Sequence, residues 1–272
     1  MAVHKYRNDK KRRMGGVLFL PRDMCVKYGY NVQLAEAAAL RYVAKMTKVP
    51  VPKVYCASRH KRITYILMQR INGEERGKNW AQRSPEERES LLRQLKGYFD
   101  ELRSIPHPSP GAIAASDMQS LWDPGLLTGD VGFGPFANES DSNNFLRFGL
   151  QKDYHILSRS TWIEEEERLE LIKMVELQDS LNHKICFAHG DANGGNILVK
   201  GDKVVGLIDF EYAGLFPEYW EYTNALNHGP KYAFWKEEVG RFLRLYPKEL
   251  ELEKIRKEHF GPYGFRGRYM WY

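Results

Sequence analysis

Cysteine is scarce: the chain of 272 residues has three, Cys25, Cys56 and Cys186, far apart and each inside an apolar run. That spacing offers neither a disulfide framework nor a thiolate zinc site, so all three are expected as buried, reduced thiols. Long apolar runs are missing too. No stretch approaches the ~18 apolar residues that cross a bilayer, and the opening Met1-Ala-Val-His-Lys-Tyr-Arg7 lacks the apolar core of a secretory signal; a cytoplasmic protein without a membrane partner is expected. There is no Gly-x-Gly-x-x-Gly phosphate loop either. Charge is only mildly unbalanced, at +6. The basic runs Lys10-Lys11-Arg12-Arg13, Arg59-His60-Lys61-Arg62 and Arg266-Gly267-Arg268 lie in no nucleic-acid motif and alternate with no aromatic platform. Solvated turns with a general pull on small anions are therefore favoured over nucleic acid as a partner.

What is present is a chain with 43% hydrophobic residues, enough to bury a sizeable core in one large domain or two modest ones. Its densest stretch runs from Ile185 to Trp220. Apolar, β-branched runs bracket two polar clusters, His189-Gly190-Asp191 with Asn196, and Asp209-Phe210-Glu211, around a turn at Gly201-Asp202. The pattern predicts strand, loop, strand, turn, strand, with Asp191, Asn196 and Asp209 held at strand ends.

An Asp and an Asn five residues apart, followed by an Asp closing a hairpin, is the set that phosphoryl transfer to an alcohol needs. One carboxylate, Asp191, orients the hydroxyl and accepts its proton; the Asn196 amide oxygen and the Asp209 carboxylate hold Mg²⁺ on the nucleotide phosphates. Protein kinases carry the same order, with His-Arg-Asp, an Asn five positions on, and then Asp-Phe-Gly. The alternative to be weighed is that these residues only cap turns and close a hairpin.

Further upstream, Met14-Gly-Gly-Val-Leu-Phe-Leu20 and Met24-Cys-Val-Lys27-Tyr28 predict two strands separated by the turn residues Pro21-Arg22-Asp23. Lys27 is a lone cation in an apolar strand and needs a partner. Glu36 is available, early in a helix predicted to be capped by Asn31 and to share Leu34, Ala38 and Tyr42 on one face. Gly15-Gly16 permits close approach of backbone to phosphate. Val49-Pro50-Val51-Pro52 forces an extended path into strands at Lys53–Ala57 and Ile63–Met68. Beyond Gly73 a capping box at Ser84-Pro85-Glu86-Glu87 starts a helix with a stripe of Leu91, Leu95, Tyr98 and Leu102. Thr161-Trp162-Ile163-Glu164 predicts a second capping box before a helix presenting Leu169, Ile172, Val175 and Leu177. The Pro/Gly/Ser-rich span 106–143 reads equally as the rim of a second pocket or as an ordered connector. Helices are expected over 219–226, 232–243 and 248–258.

The His189-Gly190-Asp191 block with Asn196, followed by Ile208-Asp209-Phe210-Glu211 and Pro217-Glu218-Tyr219-Trp220-Glu221, resembles the aminoglycoside phosphotransferase and choline kinase-like family of small-molecule kinases, the fungal members most closely. The resemblance spans about Cys25 to Leu226. It implies a two-lobed, protein-kinase-like α+β fold: residues 1–72 form a nucleotide lobe of small antiparallel sheet plus one helix, and 73–272 a mainly helical catalytic lobe. It also implies an ATP- and Mg²⁺-dependent enzyme in which Lys27 grips the nucleotide phosphates, Glu36 aims Lys27, and the backbone at Gln69 and Ile71 meets adenine. Only seven residues separate Asp209 from Pro217, which leaves no room for a peptide-docking segment. The acceptor is accordingly expected to be a small molecule (an aminoglycoside, a choline-like amine, a sugar or a secondary metabolite), and the chain a monomer or weak dimer. Trp220 and Glu221 read as acceptor contacts or, preferably, as packing and capping; Glu211 as a metal or acceptor contact or a brace. The rival reading is an inactive or repurposed member serving as a nucleotide sensor or scaffold.

Overall fold

The computed structural model describes residues 13–123, 132–151, 164–227 and 234–261. The basic runs at the two ends, the Thr161 cap and the first residues of the helix expected from Tyr232 fall outside them, apart from Arg13.

Five antiparallel strands come first: β1 (Arg13–Met14), β2 (Val17–Leu20), β3 (Met24–Gly29), β4 (Val54–His60) and β5 (Ile63–Gln69), in the spatial order β1-β2-β3-β5-β4. The expected single strand from Met14 to Leu20 is instead a tight hairpin. Met14 pairs with Val17 and Gly15 takes φ +56°, a turn that glycine adopts at no steric cost. In β3 the period-2 alternation sends Val26 to one face with Leu18 and Leu20, while Cys25 faces the main core. The turn carrying Arg59 to Arg62 is fully exposed.

Two expectations fail here for local reasons. Cys56 is exposed, unlike the buried Cys25 and Cys186, because β4 is an edge strand whose register shifts between Val54 and Cys56, and the irregularity leaves Tyr55 and Cys56 both facing solvent. The helix after β3, α1 (Leu34–Met46), has Gln33 rather than Asn31 at its cap and no side-chain capping bond. It buries Glu36, Ala37, Ala39, Leu40 and Val43, and leaves Leu34 exposed. Turning Glu36 inward is what rotates the apolar face away from the predicted one.

A short strand β6 (Glu74–Glu75) and a 3₁₀ turn (Trp80–Gln82) lead to α2 (Pro85–Arg103), whose capping box forms as expected: Glu87 N–H donates to Ser84 Oγ and the Glu87 carboxylate accepts from Ser84 N–H. Leu91, Leu92, Leu95, Phe99 and Leu102 are its buried stripe. After α3 (Glu139–Leu146) comes α4 (Glu165–Ser180), with Glu164 at its cap and no capping bond; Leu171, Met174 and Val175 are buried, whereas Leu169 and Leu177 are exposed. The central block supplies β7 (Ile185–Ala188), β8 (Ile197–Lys200), β9 (Lys203–Leu207) and β10 (Gly214–Pro217), the last of these not foreseen. They form two small sheets, β10-β7 and β6-β8-β9. Three helices close the described chain: α5 (Trp220–Asn227), α6 (Trp235–Phe242) and α7 (Pro247–Phe260). One core cluster runs from Cys25, Ile66 and Met68 through α2 to Phe187, Leu215 and Trp235. Among the described residues, no helix is long and apolar enough to cross a membrane.

His183, just before β7, ties this part together. Its Nδ1 lies 2.7 Å from Glu139 Oε1 on α3 and its Nε2 3.2 Å from Glu249 Oε1 on α7. Only the imidazolium donates from both nitrogens. Burial disfavours the charge, but the bonds and charges of Glu139 and Glu249 outweigh it, and the pKa is raised. A folded-state pKa above the unfolded value gives stability that is complete below the unfolded pKa and lost as pH rises through the folded one. The melting temperature is therefore expected to fall from mildly acidic to mildly alkaline pH. In His183→Gln, which cannot carry the charge, that part of the slope should vanish; an identical slope would refute the clip.

Candidate functional site

Strand β3 and helix α1 bring Lys27 and Glu36 together from one side, and the segment after β9 brings Asp209 and Glu211 from the other. Lys27 pairs across the sheet with Val17 and Ile66. Its ammonium lies 2.8 Å from Glu36 Oε2, 2.5 Å from Asp209 Oδ1 and 2.8 Å from Glu211 Oε2. Glu36 is 1% exposed, and an unpaired carboxylate there would be costly. Desolvation raises its pKa to about 7 even against the pull of Lys27. Burial likewise opposes the charge on Lys27, but the carboxylates of Glu36, Asp209 and Glu211 overcome it and raise the lysine's pKa well above its ordinary value. Asp209 reaches the cluster from a left-handed backbone, φ +66°, which Asp tolerates better than most side chains.

The loop between β7 and β8 holds the second group. Asn196 Nδ2 donates to Asp191 Oδ2 at 2.7 Å and to the Asp191 carbonyl at 3.0 Å; Asn193 Nδ2 donates to Asp191 Oδ1 at 2.9 Å. Each carboxylate oxygen thus has one amide donor and keeps a lone pair free. Asn196, having turned its nitrogen to Asp191, presents its amide oxygen elsewhere. Asn193 was not foreseen; its Oδ1 accepts from Gly195 N–H at 2.7 Å, an Asx turn that Asn-Gly-Gly signals in sequence.

His189 shapes this loop through hydrogen bonds at both ring nitrogens. Asp191 N–H donates to His189 Nδ1 at 3.2 Å, so Nδ1 is unprotonated and Nε2 donates to the Ile208 carbonyl at 2.9 Å. Glu221, 4% exposed, accepts from the N–H groups of His189 at 2.5 Å and Gly190 at 3.4 Å, while Asn224 Nδ2 donates to the Gly190 carbonyl at 3.3 Å. Burial raises the pKa of Glu221 against these bonds. Glu221 is therefore a brace for the loop, and Trp220, 2% exposed and stacked on Phe216 at 4.8 Å, is packing. Gly190 sits at φ +82°, where an added Cβ would meet the Tyr212 carbonyl oxygen at 2.4 Å. Gly190→Ala is expected to displace the loop and destabilise the protein by about 2 kcal/mol, from left-handed strain and overpacking. Chemical denaturation measures this, and a wild-type midpoint would show the contact to be relieved for free.

A cavity of about 320 Å³ lies between the five-stranded sheet and β8, lined by Val17, Phe19, Cys25, Met68, Leu198 and Ile208 among its apolar groups. Lys27, Glu36, Gln69, Ile71 and Asp209 line the same cavity, so five of the seven predicted residues share one wall set. Asp191 and Asn196 are not on that lining. They adjoin it through the backbone, where Ile208 N–H donates to the Asn196 carbonyl at 3.0 Å. The Gln69 amide is occupied by the Lys53 carbonyl at 2.9 Å, and its own carbonyl takes only a weak S–H donor, Cys25 Sγ at 3.7 Å, so an oxygen lone pair is left for a ligand edge; among the described residues the Ile71 amide has no protein acceptor. The Arg70 guanidinium lies 4.3 Å over the Phe19 ring and bridges the rim, a contact sequence spacing does not reveal. Beyond Asp191, Trp122 stacks on Tyr212 at 6.4 Å and 17°. Burial foremost, then Glu211, Asp123 and Asp191, hold the Tyr212 phenol above its usual pKa. A larger cavity of about 1160 Å³ between α4 and α7 contains none of these groups.

Glu36, Asp209 and Glu211 each offer an oxygen within 4.8 Å of the others. Three carboxylate oxygens are a hard donor set, of the kind Mg²⁺ takes and softer metals do not prefer.

A family model described as the phosphotransferase enzyme family matches residues 31–256. No curated protein matches the chain. Among solved structures, a thermostable mutant of aminoglycoside phosphotransferase APH(4)-Ia in ternary complex with AMP-PNP and hygromycin B is 15% identical over 94% of this chain and 88% of that one, with a TM-score of 0.60. The gentamicin complex of APH(2")-IIa is 15% identical over 94% and 85%, with a TM-score of 0.55. These likenesses are of fold: a two-lobed, kinase-like α+β arrangement.

Proposed function

Because the chain belongs to the phosphotransferase enzyme family, we propose that it transfers the terminal phosphoryl group of ATP to a hydroxyl of a small molecule, with Mg²⁺ on the nucleotide. The observation that carries this reading is the convergence of Lys27, Glu36 and Asp209 on one cleft, beside a carboxylate, Asp191, held by two side-chain amides.

In this reading the nucleobase lies in the cavity between Val17, Met68 and Leu198, with the Gln69 carbonyl and Ile71 amide at its edge. Lys27 leaves Asp209 and Glu211 for the phosphates and remains aimed by Glu36. Asn196 and Asp209, with Glu211 as a further oxygen, would hold Mg²⁺, which when bound neutralises the phosphate charge. Asp191 orients the acceptor hydroxyl and takes its proton as the O–P bond forms, while the leaving ADP oxygen carries away the electron pair. Its lone pairs not used by Asn193 and Asn196 are the ones available for this. The domain boundary lies at Gly73, so that 1–72 binds nucleotide and 73–272 performs the chemistry.

A small acceptor is favoured by the burial of Phe210 and the segment Ala213–Phe216 right after Asp209, which leaves no peptide-docking segment between Asp209 and Pro217. The stacked rings of Trp122 and Tyr212 would supply an aromatic contact for it. An aminoglycoside, a choline-like amine, a sugar or a secondary metabolite meets this description.

The test is a melting curve with ATP and Mg²⁺, then transfer of labelled γ-phosphate to a panel of such metabolites. Ligand about a hundredfold above its Kd stabilises by about 2.7 kcal/mol. An unchanged melting temperature at saturating nucleotide would overturn the assignment; a shift with no transfer to any acceptor would favour a nucleotide-sensing role.

A further inference from the structure

Arg76 is the least accommodated charge among the described residues. It is 0% exposed, and none of its three guanidinium nitrogens has a hydrogen-bond partner there. What surrounds it is aromatic. The guanidinium carbon lies 3.8 Å from the Trp80 ring centroid, 4.9 Å from that of Trp235 and 6.0 Å from that of Phe242. Trp80 is itself fixed, stacked on Phe234 at 5.3 Å with its indole N–H donating to Glu238 at 3.2 Å. Burial lowers the pKa of Arg76 to about 9 and Glu238 opposes that, so the group is a cation at neutral pH.

Holding a guanidinium with ring faces alone is expensive compared with an apolar side chain of the same size. Its advantage is direction: a flat cation over a ring face has a preferred seat that a flexible Met lacks. What that seat fixes is visible in the backbone. Arg76 N–H donates to the Ile197 carbonyl at 2.7 Å and Gly77 N–H to the Gly194 carbonyl at 3.1 Å, while Glu74 and Glu75 pair with Val199 and Leu198. Residues 74–77 thus form a strap along 194–199, and Asn196 lies inside the bracket, held on its other side by Ile208 N–H.

We propose that Arg76 is a positioning residue: seated between Trp80 and Trp235, it anchors the strap that sets the place of Asn196, and so couples helix α6 to the metal-nucleotide side of the site. The inference rests on the function proposed above, and its test separates the two. Arg76→Ala empties the seat; Arg76→Met keeps the bulk and removes the charge, in case the alanine variant does not fold. Two readouts are taken on each: hydrogen exchange of the amides of Arg76 (or its replacement) and Gly77, and binding of AMP-PNP with and without Mg²⁺. Exchange at both amides should quicken. The gain in AMP-PNP affinity that Mg²⁺ confers should shrink by about tenfold, as for residues that orient metal ligands from behind, and binding without Mg²⁺ should change little. Wild-type exchange at these amides together with a wild-type Mg²⁺ effect, even in a variant of lower melting temperature, would overturn the proposal and leave Arg76 a mere packing group. If the unaltered protein binds no AMP-PNP, the proposed function fails, while the exchange result still decides whether Arg76 holds the strap.

Discussion

Asp191→Asn is expected to lower the rate of phosphoryl transfer by about a hundredfold or more, the usual worth of a positioned base. Two effects combine. The amide cannot accept the hydroxyl proton, and its NH₂ must face one of two donors, Asn193 Nδ2 or Asn196 Nδ2, each of which now gives a hydrogen bond to a carboxylate oxygen. The side chain turns, or one donor is left unpaired. Because Lys27, Glu36 and the cavity are untouched, nucleotide affinity should stay within a few-fold of its starting value, so that the loss falls on kcat. Steady-state kinetics with a saturating acceptor measure this, and transfer at an undiminished rate would remove Asp191 from its role.

Lys27→Met should produce the largest change in stability. It leaves Glu36, 1% exposed, facing Asp209 and Glu211 with their oxygens within 4.8 Å and no cation between them. Removing one partner from a buried ion pair costs about 3 kcal/mol or more. The variant should also respond to pH in the direction opposite to ordinary acid denaturation. Burial already raises Glu36, and Lys27 is the group that opposes it; without the lysine the folded-state pKa goes higher still. The protonated form is then favoured by folding, and the penalty is relieved as pH falls through that raised value. Millimolar-range Mg²⁺ or Ca²⁺ should restore stability in the same way, by filling the place of the ammonium. Melting curves across pH and with each cation decide the matter. A variant as stable as the parent, or one that neither acid nor cation rescues, would mean that the three carboxylates do not repel one another in the folded protein.

Much of the candidate site was legible because its spacing is local. His189, Asp191 and Asn196 lie on one loop, Asp209 closes one hairpin, and strands on both sides are written in apolar, β-branched residues. Lys27 with Glu36 was found by a different route, from the cost of a cation inside an apolar strand. Faces were harder. Helical periodicity misplaced the buried side of α1, because a carboxylate occupies a position that apolar counting gives to solvent, and of α4, where Leu169 and Leu177 face outward. Cys56 was misassigned because a register shift in an edge strand breaks the alternation on which burial is read. Strand β10 escaped notice because all four residues are buried, leaving no alternation, and because it ends in Pro217. The cage around Arg76 joins residues from two distant segments, 76–80 and 235–242, and nothing in their spacing announces it.

Strand β10 has one further consequence. From Gly214 to Pro217 it lies paired with β7, every residue buried, immediately after the segment that carries Asp209 and Glu211. In kinases of the signalling type this interval is a detachable throttle, dressed or undressed by another enzyme. Here it is sewn into the interior, with no free length for such a modification to rearrange. Moving this interval would mean unzipping β10 from β7 and exposing Leu215 and Phe216 to water, so the core itself moors the loop that carries Asp209.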